Sequence, residues 1–390
     1  MISVEDAKKL IRDHISQLNP ILKSLQDSAE HVLAEDVFAA FDIPAFRQSS
    51  MDGYAIIFGD QNQDLDLIGE MAAGTPDKIS IIQGQTSRIF TGAPLPDGAD
   101  TVVMQEKTSK KNNSISFEDE KLVKCANVRQ IGSEIHVGEL AMQKGDLLSP
   151  AALAFLAGIG ISEVLVYPMP SVAIILTGNE LQKPGLPLNF GQVYESNSYS
   201  LTAALNKEGI YHIEVVTAED TLETLTNVLK TALEKNDVIL LTGGVSVGDY
   251  DFVLQAAANC GVEQIFHKVK QKPGKPLFFG KQNDKVIFGL PGNPSSVLNC
   301  YYNYVVPAIK QLSRKENNVK SIQAELTHTY KKPKDLTHFL KGNYIDGKAT
   351  ALGAQESYRL SSFAQANCLI QLNQGQENFS AGENVNVILI

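Results

Sequence analysis

A basic excess is the first thing missing from this chain. Its 390 residues carry 34 Lys and Arg against 44 Asp and Glu, a formal net charge of −10. Phosphate backbones are held by many cations at once, so nucleic-acid binding through bulk charge is excluded. Cysteine is scarce as well. Cys125, Cys260, Cys300 and Cys368 lie far apart and form no Cys-x-x-Cys pair, and the seven histidines do not cluster. Neither structural zinc nor a disulfide framework is expected. Long apolar runs are also absent: the most apolar stretch, Ala151 to Ile161, is broken by glycine and falls well short of the ~20 residues of a spanning helix. The charged N-terminal segment does not read as a signal peptide. Together these absences lead to the expectation of a reduced, cytoplasmic protein with no nucleic-acid and no membrane partner.

What is present is ordinary globular material, 43% hydrophobic and 20% charged, with ample apolar mass for packed cores. At ~150 residues per domain, the length suggests about two or three domains. The texture of the chain divides it further, into four. Val4, Ala7, Leu10, Ile11, His14, Ile15 and Leu18 fall on one helical stripe, and residues 1–40 read as helical by period. Residues 41–137 carry short apolar runs separated by Gly, Pro and Asp, the mark of a β-rich module, with a hairpin tip at 107–114. Helical texture returns over 138–170, so the β module reads as an insertion into a discontinuous helical domain, 1–40 and 138–170. Residues 171–312 alternate strands with helices, which implies βαβ units and a doubly wound parallel sheet. Residues 322–390 return to short strands and predict a C-terminal β barrel. No internal repeat is found.

In an open parallel sheet, ligands bind where the strands' C-terminal ends open into loops, and three such loops here are unusual. In LLTGGVSVGDYD, 240–251, Gly243 and Gly244 allow a tight turn and close backbone approach to a ligand, and Ser246 could meet an oxyanion at a helix start. Taken alone, this string is equally a plain strand-to-helix turn, and it lacks the Gly-Lys-Ser/Thr of a P-loop. In LPGNPSS, 290–296, Pro291 and Gly292 turn the chain, Asn293 reads as an N-cap and Pro294 as the first helical residue. The helix start is good local chemistry whatever else it does; the functional reading adds an anion or a pterin-like ligand. The third phrase, HKVKQKPGKP, 267–276, gathers Lys268, Lys270, Lys272 and Lys275 in an acidic chain. Pro273 and Gly274 would turn Lys272 and Lys275 toward one another, a pair suited to phosphate or molybdate. Charge runs are usually solvated faces, but this one lies between two candidate anion turns. Acids follow the same strand ends: Glu180 in TGNE, Asp220 in TAED, and Asp249 and Asp251 after the Gly-rich turn. Each alone reads as a helix cap; as a set, Asp220 and Asp251 could hold Mg²⁺. Asp52, in a Met-Asp-Gly turn, and Thr91, opening a Pro-bounded loop, read by spacing alone as structural.

The phrases SSMDGYA, FTGAPLP, LTGNEL, TGGVSVGDYD, KPGKP and LPGNPSS occur here in this order. In this the chain resembles, over nearly its whole length, the molybdopterin molybdenumtransferases, the MoeA family, to which the E-domain of gephyrin is related. The resemblance implies insertion of molybdate into adenylyl-molybdopterin with release of AMP, dependent on Mg²⁺. It implies an elongated homodimer whose active site lies between the α/β domain of one subunit and the inserted β module of the other, which would bring Asp52 and Thr91 into the site. By the same resemblance Gly243, Gly244, Ser246, Pro291, Gly292 and Pro294 shape the pterin and phosphate pocket. Asp220 and Asp251 serve Mg²⁺; Lys272, Lys275 and Ser357 lie near molybdate, Lys268 belongs to the same cationic set, and Glu134 and Glu180 are further acids. A molybdopterin adenylyltransferase upstream and molybdoenzyme-maturation proteins downstream are the partners it points to. Two departures stand out. Gly-Asp-Tyr-Asp-Phe replaces the common Gly-Glu-x-Asp-Tyr, and Lys341 stands where many members have Arg before Gly, with Arg359 as a candidate replacement. The rival readings are an ATP-using molybdopterin adenylyltransferase-like enzyme, against which residues 41–137 and 322–390 argue, and a non-catalytic pterin-binding scaffold, against which the intact acid and lysine sets argue.

Overall fold

The structure is a computed structural model that describes residues 1–244, 252–316 and 321–390. Its contacts divide the chain into two compact units, one of residues 1–22, 30–32 and 165–390, the other of 23–29 and 33–164. None of the helices among the described residues is long and apolar enough to cross a membrane.

The apolar stripe near the N-terminus forms helix Val4–His14, with the Ser3 hydroxyl capping the Asp6 N–H and Val4, Ala7 and Ile11 buried. The helical reading of the following residues does not hold. Short strands Ile21–Ser24, Val32–Leu33 and Val37–Phe38 replace it: the helix ends at the extended Ile15, Asn19-Pro20 disfavours a helical restart, and Glu30 takes a left-handed backbone at φ 61°.

The unit containing residues 33–164 is built on a six-stranded sheet in the order Thr101–Met104, Gly53–Ile56, Gln85–Ile89, Leu65–Met71, Ser114–Phe117, Thr108–Lys111. Its last two strands form the expected hairpin, with Asn112 at φ 58° in the tip. Ala55, Met71, Ile89 and Val102 pack its core. Gly53 of the Met-Asp-Gly turn is obligatory: a Cβ there would overlap the carbonyl oxygen of Val103 in the neighbouring strand, at 1.9 Å.

The larger unit contains the α/β sheet. Four strands run parallel in the order Ile213–Ala218, Val172–Thr177, Val238–Thr242, Lys285–Leu290. Phe278–Gln282 and Glu263–His267 then extend the sheet antiparallel, so the sheet is mixed rather than wholly parallel. The two central strands read as unbroken apolar runs because both faces are covered: residues 172–176 and 238–241 are at most 5% exposed. Burying each Ile, Leu or Val of this kind contributes about 1.5–3 kcal/mol, which fixes the strand ends on which the loops sit. Chain order reverses between Val172–Thr177 and Val238–Thr242, the switch point at which such sheets leave a crevice.

The C-terminal residues form the expected barrel. Its five strands, Thr337–Ile345, Lys348–Ala351, Ser321–Leu326, Asn384–Leu389 and Cys368–Leu372, close by pairing the last with the first. The short strand Gln271–Lys272 adds itself in parallel to the Thr337–Ile345 strand, Lys272 opposite His338. This places the lysine-bearing turn between the sheet and the barrel.

Candidate active site

Three strand ends meet at the switch point because glycine lets them. Gly243 follows the strand ending at Thr242 with φ 91°, and a Cβ there would lie 2.6 Å from the carbonyl oxygen of Thr177. Gly292 stands beside it, its would-be Cβ at an ordinary contact distance of 3.7 Å from the Cα of Gly243. The space so kept is a cavity of about 590 Å³, walled on the sheet side by Thr177, Gly178, Glu180, Asp220, Gly243, Gly244, Pro291 and Gly292. Lys272 and Lys275 line it from the basic turn, and Leu336, Gln355 and Ser357 line it from the barrel.

Its carboxylates are held differently from one another. Asp220 accepts the Thr177 hydroxyl on Oδ1 at 3.0 Å, which fixes one oxygen and leaves the other for a ligand. Glu180 folds back over Gly178, whose φ of 144° and missing side chain make the room: a Cβ there would stand 2.8 Å from Glu180 Oε1.

The basic turn is clamped from beneath by groups that sequence patterns do not single out. Gln271 is fully buried; its Nε2 donates to the Gly274 carbonyl at 2.8 Å, and its Oε1 accepts from the Tyr304 hydroxyl. Asn299 donates to the Pro273 carbonyl at 3.1 Å. Gly274 has φ 84°, and a Cβ on it would sit 2.6 Å from Cys300 Sγ. The turn is therefore shaped by helix Pro294–Cys300 and the π-helical turn Tyr301–Val305, and both lysines are free to face the cavity. The strand alternation expected for Lys268, Lys270 and Lys272 fails at Lys268, which has φ 74°. Lys268 is not among the cavity's lining residues, and the left-handed backbone is the reason it leaves that face.

The helix after LPGN begins as read, with Asn293 at the N-cap and Pro294 in the first turn. Pro294 itself does not line the cavity, while Asn293 and Ser296 do. The Asn293 side chain makes no cap. Its Nδ2 donates instead to Ser357 Oγ at 2.9 Å, and the Ser295 N–H donates to the Ser357 carbonyl at 3.0 Å. Gly292 O accepts from Asn197 Nδ2 at 3.0 Å, a second contact that no motif announced.

Lys341 does not face the cavity. It is 3% exposed, and its ammonium donates to the carbonyls of Ala354, Arg359 and Glu356 at 2.7, 2.9 and 3.3 Å. Arg359 is exposed and pairs with Glu356 at 3.4 Å, so neither cation stands at the cavity wall in place of an arginine. His338, opposite Lys272, is a buried neutral imidazole: burial, then the charges of Lys272 and Lys332, pull its pKa down to about 4.

In the other unit, Asp52 and Thr91 form a local pair. Asp52 Oδ1 accepts from the Thr91 N–H at 2.8 Å and from the Thr91 hydroxyl at 2.9 Å. These two bonds hold the carboxyl below the usual range, with the charge of Arg88 adding to them. Arg88 is fixed by the Gly53 carbonyl and Gln105 and lies over the rings of Tyr54 and Phe90. Glu134 is exposed in the same unit. Ser246 and Asp251 lie outside the described residues.

A glycine-built crevice at the switch point of an α/β sheet, with a closed barrel supplying one wall, defines the class of α/β proteins that bind a ligand at their strand ends. Comparison with known proteins sharpens this. Residues 2–160 match the MoeA N-terminal region (domain I and II), 173–311 the probable molybdopterin binding domain, and 323–390 the MoeA C-terminal region (domain IV). A molybdopterin molybdenumtransferase of Staphylococcus aureus strain Mu50 is 33% identical over 400 residues, covering 100% of this chain and 95% of the relative. Its Haemophilus influenzae counterpart is 34% identical, covering 93% and 92%. Among solved structures, a molybdopterin biosynthesis MoeA protein from Pyrococcus horikosii superposes with a TM-score of 0.83 at 28% identity, covering 100% of this chain and 99% of that one. The chain belongs to the molybdopterin molybdenumtransferase (MoeA) family.

Proposed function

We propose that this protein inserts molybdate into adenylyl-molybdopterin and releases AMP, as a step of molybdenum cofactor biosynthesis in the cytoplasm. The observation that carries the reading is the convergence of Lys272, Lys275, Asp220 and Ser357 on one cavity at the switch point. Two anions must be brought together against their repulsion, and two lysines offset that repulsion where water is thinned. The glycine-lined sheet ends admit the pterin and phosphate close to the backbone. Ser357 and Lys275 orient molybdate so that one of its oxygens can attack the adenylate phosphorus, and the bond to the molybdopterin phosphate breaks. The adenylyl-molybdate so formed releases AMP when the molybdopterin thiols displace it from molybdenum, one thiol proton going to the AMP oxygen and the other to an oxo group. Positioning supplies much of the rate in such a step. Asp220 offers a hard oxygen of the kind Mg²⁺ takes; with Asp251 it would hold the ion, which when bound neutralises charge on the phosphate oxygens.

The Asp52–Thr91 pair and Glu134 lie in the other compact unit. We assign them to the site of a second subunit, in a homodimer with shared active sites. The exposed Phe41, Phe46 and Met51 of that unit offer the apolar surface a partner would cover.

The test is molybdate-dependent AMP release by the purified protein supplied with adenylyl-molybdopterin and Mg²⁺. Asp220→Ala should abolish it with the fold intact; full activity in that variant would sink the mechanism. Release of pyrophosphate from ATP and molybdopterin instead would favour the adenylyltransferase reading. Mixed dimers of Asp52→Ala and Lys275→Ala subunits should regain about half of the activity, since one of the two sites in such a dimer is intact. Demonstrably mixed dimers with none would count against sharing.

A further inference from the structure

We infer that Lys341 is a positioning residue: its buried ammonium pegs segment 352–359 and so sets Ser357 against the start of helix Pro294–Cys300, at the wall of the anion cavity. The role rests on the molybdate-inserting reading for its consequence, though not for its geometry.

Lys341 lies within the barrel strand Thr337–Ile345. Its three N–H groups meet three carbonyls, those of Ala354, Arg359 and Glu356. A lysine ammonium has three donors and no more, so none remains for an anion in the cavity. The main chain of Lys341 grips the same segment. Its N–H donates to Gln355 Oε1 at 3.0 Å, and its carbonyl accepts from Gln355 Nε2 at 2.8 Å and the Leu352 N–H at 2.9 Å.

The segment so held is not one the chain would adopt freely. Ala354 has φ 53°, a left-handed backbone that alanine disfavours. Its carbonyl takes both the Lys341 ammonium and the Ser362 hydroxyl, the latter at 2.8 Å. On its far side the segment docks on the helix start, through Asn293 Nδ2 to Ser357 Oγ and the Ser295 N–H to the Ser357 carbonyl. A continuous line of bonds thus runs from the Lys341 ammonium to the serine at the cavity wall. Burial pulls the lysine's pKa down, and the carboxylate of Glu356 opposes the shift while Arg359 adds to it. Holding a charge there costs desolvation, which three carbonyls offset and an apolar residue would avoid.

The experiment compares wild type, Lys341→Met, Lys341→Arg, Ser357→Ala and the double variant Lys341→Met/Ser357→Ala. Hydrogen exchange of peptides covering 290–300 and 350–360 reads the peg directly. In Lys341→Met the amides of 352–359 and of Ser295 should exchange at least tenfold faster, and Lys341→Arg should keep most of the protection. In turnover, Lys341→Met should raise the molybdate KM about tenfold and leave the adenylyl-molybdopterin KM within twofold. It should add nothing further in the Ser357→Ala background. Should Lys341→Met not fold, Lys341→Gln takes its place in every arm. Unchanged exchange overturns the role, and so does a KM effect that persists in full when Ser357 is already removed. A wild type with no molybdate-dependent AMP release would defeat the activity reading instead, and the exchange data would still decide the peg.

Discussion

In the turn between the sheet and the barrel, Lys272 and Lys275 are exposed and line the cavity. In the barrel, Lys332 and Lys341 are each 3% exposed and spend their ammonium groups on main-chain carbonyls. Lys332 reaches those of Pro333, Leu336 and Gln376 at 3.3, 2.9 and 2.8 Å, and so fixes the loop that brings Leu336 to the cavity. The same residue type lines an open cavity in one region and is tied to loop carbonyls in the other. What decides is the acceptor supply around each Nζ. A lysine ringed by carbonyls has its three donors already used, whereas one on a tight turn with its donors in solvent has them free for a ligand.

The widest test of this contrast is charge removal at the turn. Lys275→Ala should lower molybdate-dependent turnover by at least ~100-fold, the scale of losing one preorganised electrostatic contact, with the far-ultraviolet dichroism unchanged. Turnover within threefold of wild type would end the claim that this turn is the anion-binding region. Next is the support beneath it. Gly274→Ala puts a Cβ at φ 84° against Cys300 Sγ, and strain plus overpacking should cost about 2–4 kcal/mol, read as a lowered denaturant midpoint with unaltered slope.

A smaller effect comes from His338, which lies between the two lysine populations, lowered by both Lys272 and Lys332. Its folded pKa of about 4 lies below the ordinary 6.5, so between those values the unfolded chain binds more protons. The stabilisation is complete above pH 6.5 and is lost as pH falls toward 4. Wild type should lose on the order of 2 kcal/mol more than His338→Leu between pH 7.5 and 4.5, and identical pH slopes would refute the buried neutral ring. The least effect is expected at Arg359, whose charge meets the exposed Glu356 and the exposed Tyr358. Arg359→Ala should keep turnover within twofold and the melting midpoint unchanged; a larger loss of turnover would return this arginine to the substrate.

Much of the fold was legible. The alternation of apolar runs with helical periods announces the α/β sheet, because central strands buried on both faces must be apolar throughout. The glycine turns announce its loops, because left-handed backbones and close approaches select glycine. The reversed strand Phe278–Gln282, which pairs antiparallel on both sides, was not legible as such, since strand direction leaves no mark in a run of apolar residues. Residues 19–40 misled because their Ala and Leu content mimics a helical period while Pro20 and the turn at Glu30 break it. At the site, Gly243, Gly274, Lys272, Lys275 and Asp220 were readable from motif and spacing. Gln271, Asn197, Asn299 and Lys341 were not. A buried amide or ammonium looks in the sequence like any solvated polar residue, and only its hydrogen-bond partners, far along the chain, distinguish it.

The sequence alone determined which positions could turn, which runs had to be buried, and that an acidic chain gathers its lysines beside two glycine-built loops. The tertiary structure decided which lysines face the cavity. Lys268 and Lys270 do not line it, Lys341 in the barrel is tied to three carbonyls, and Lys272 and Lys275 remain. That sorting depends on long-range contacts, between a strand at 337–345 and a loop at 352–359, or a turn at 271–276 and a helix at 294–300. Composition and spacing carry no record of which acceptors folding will bring within hydrogen-bond distance of a given ammonium group.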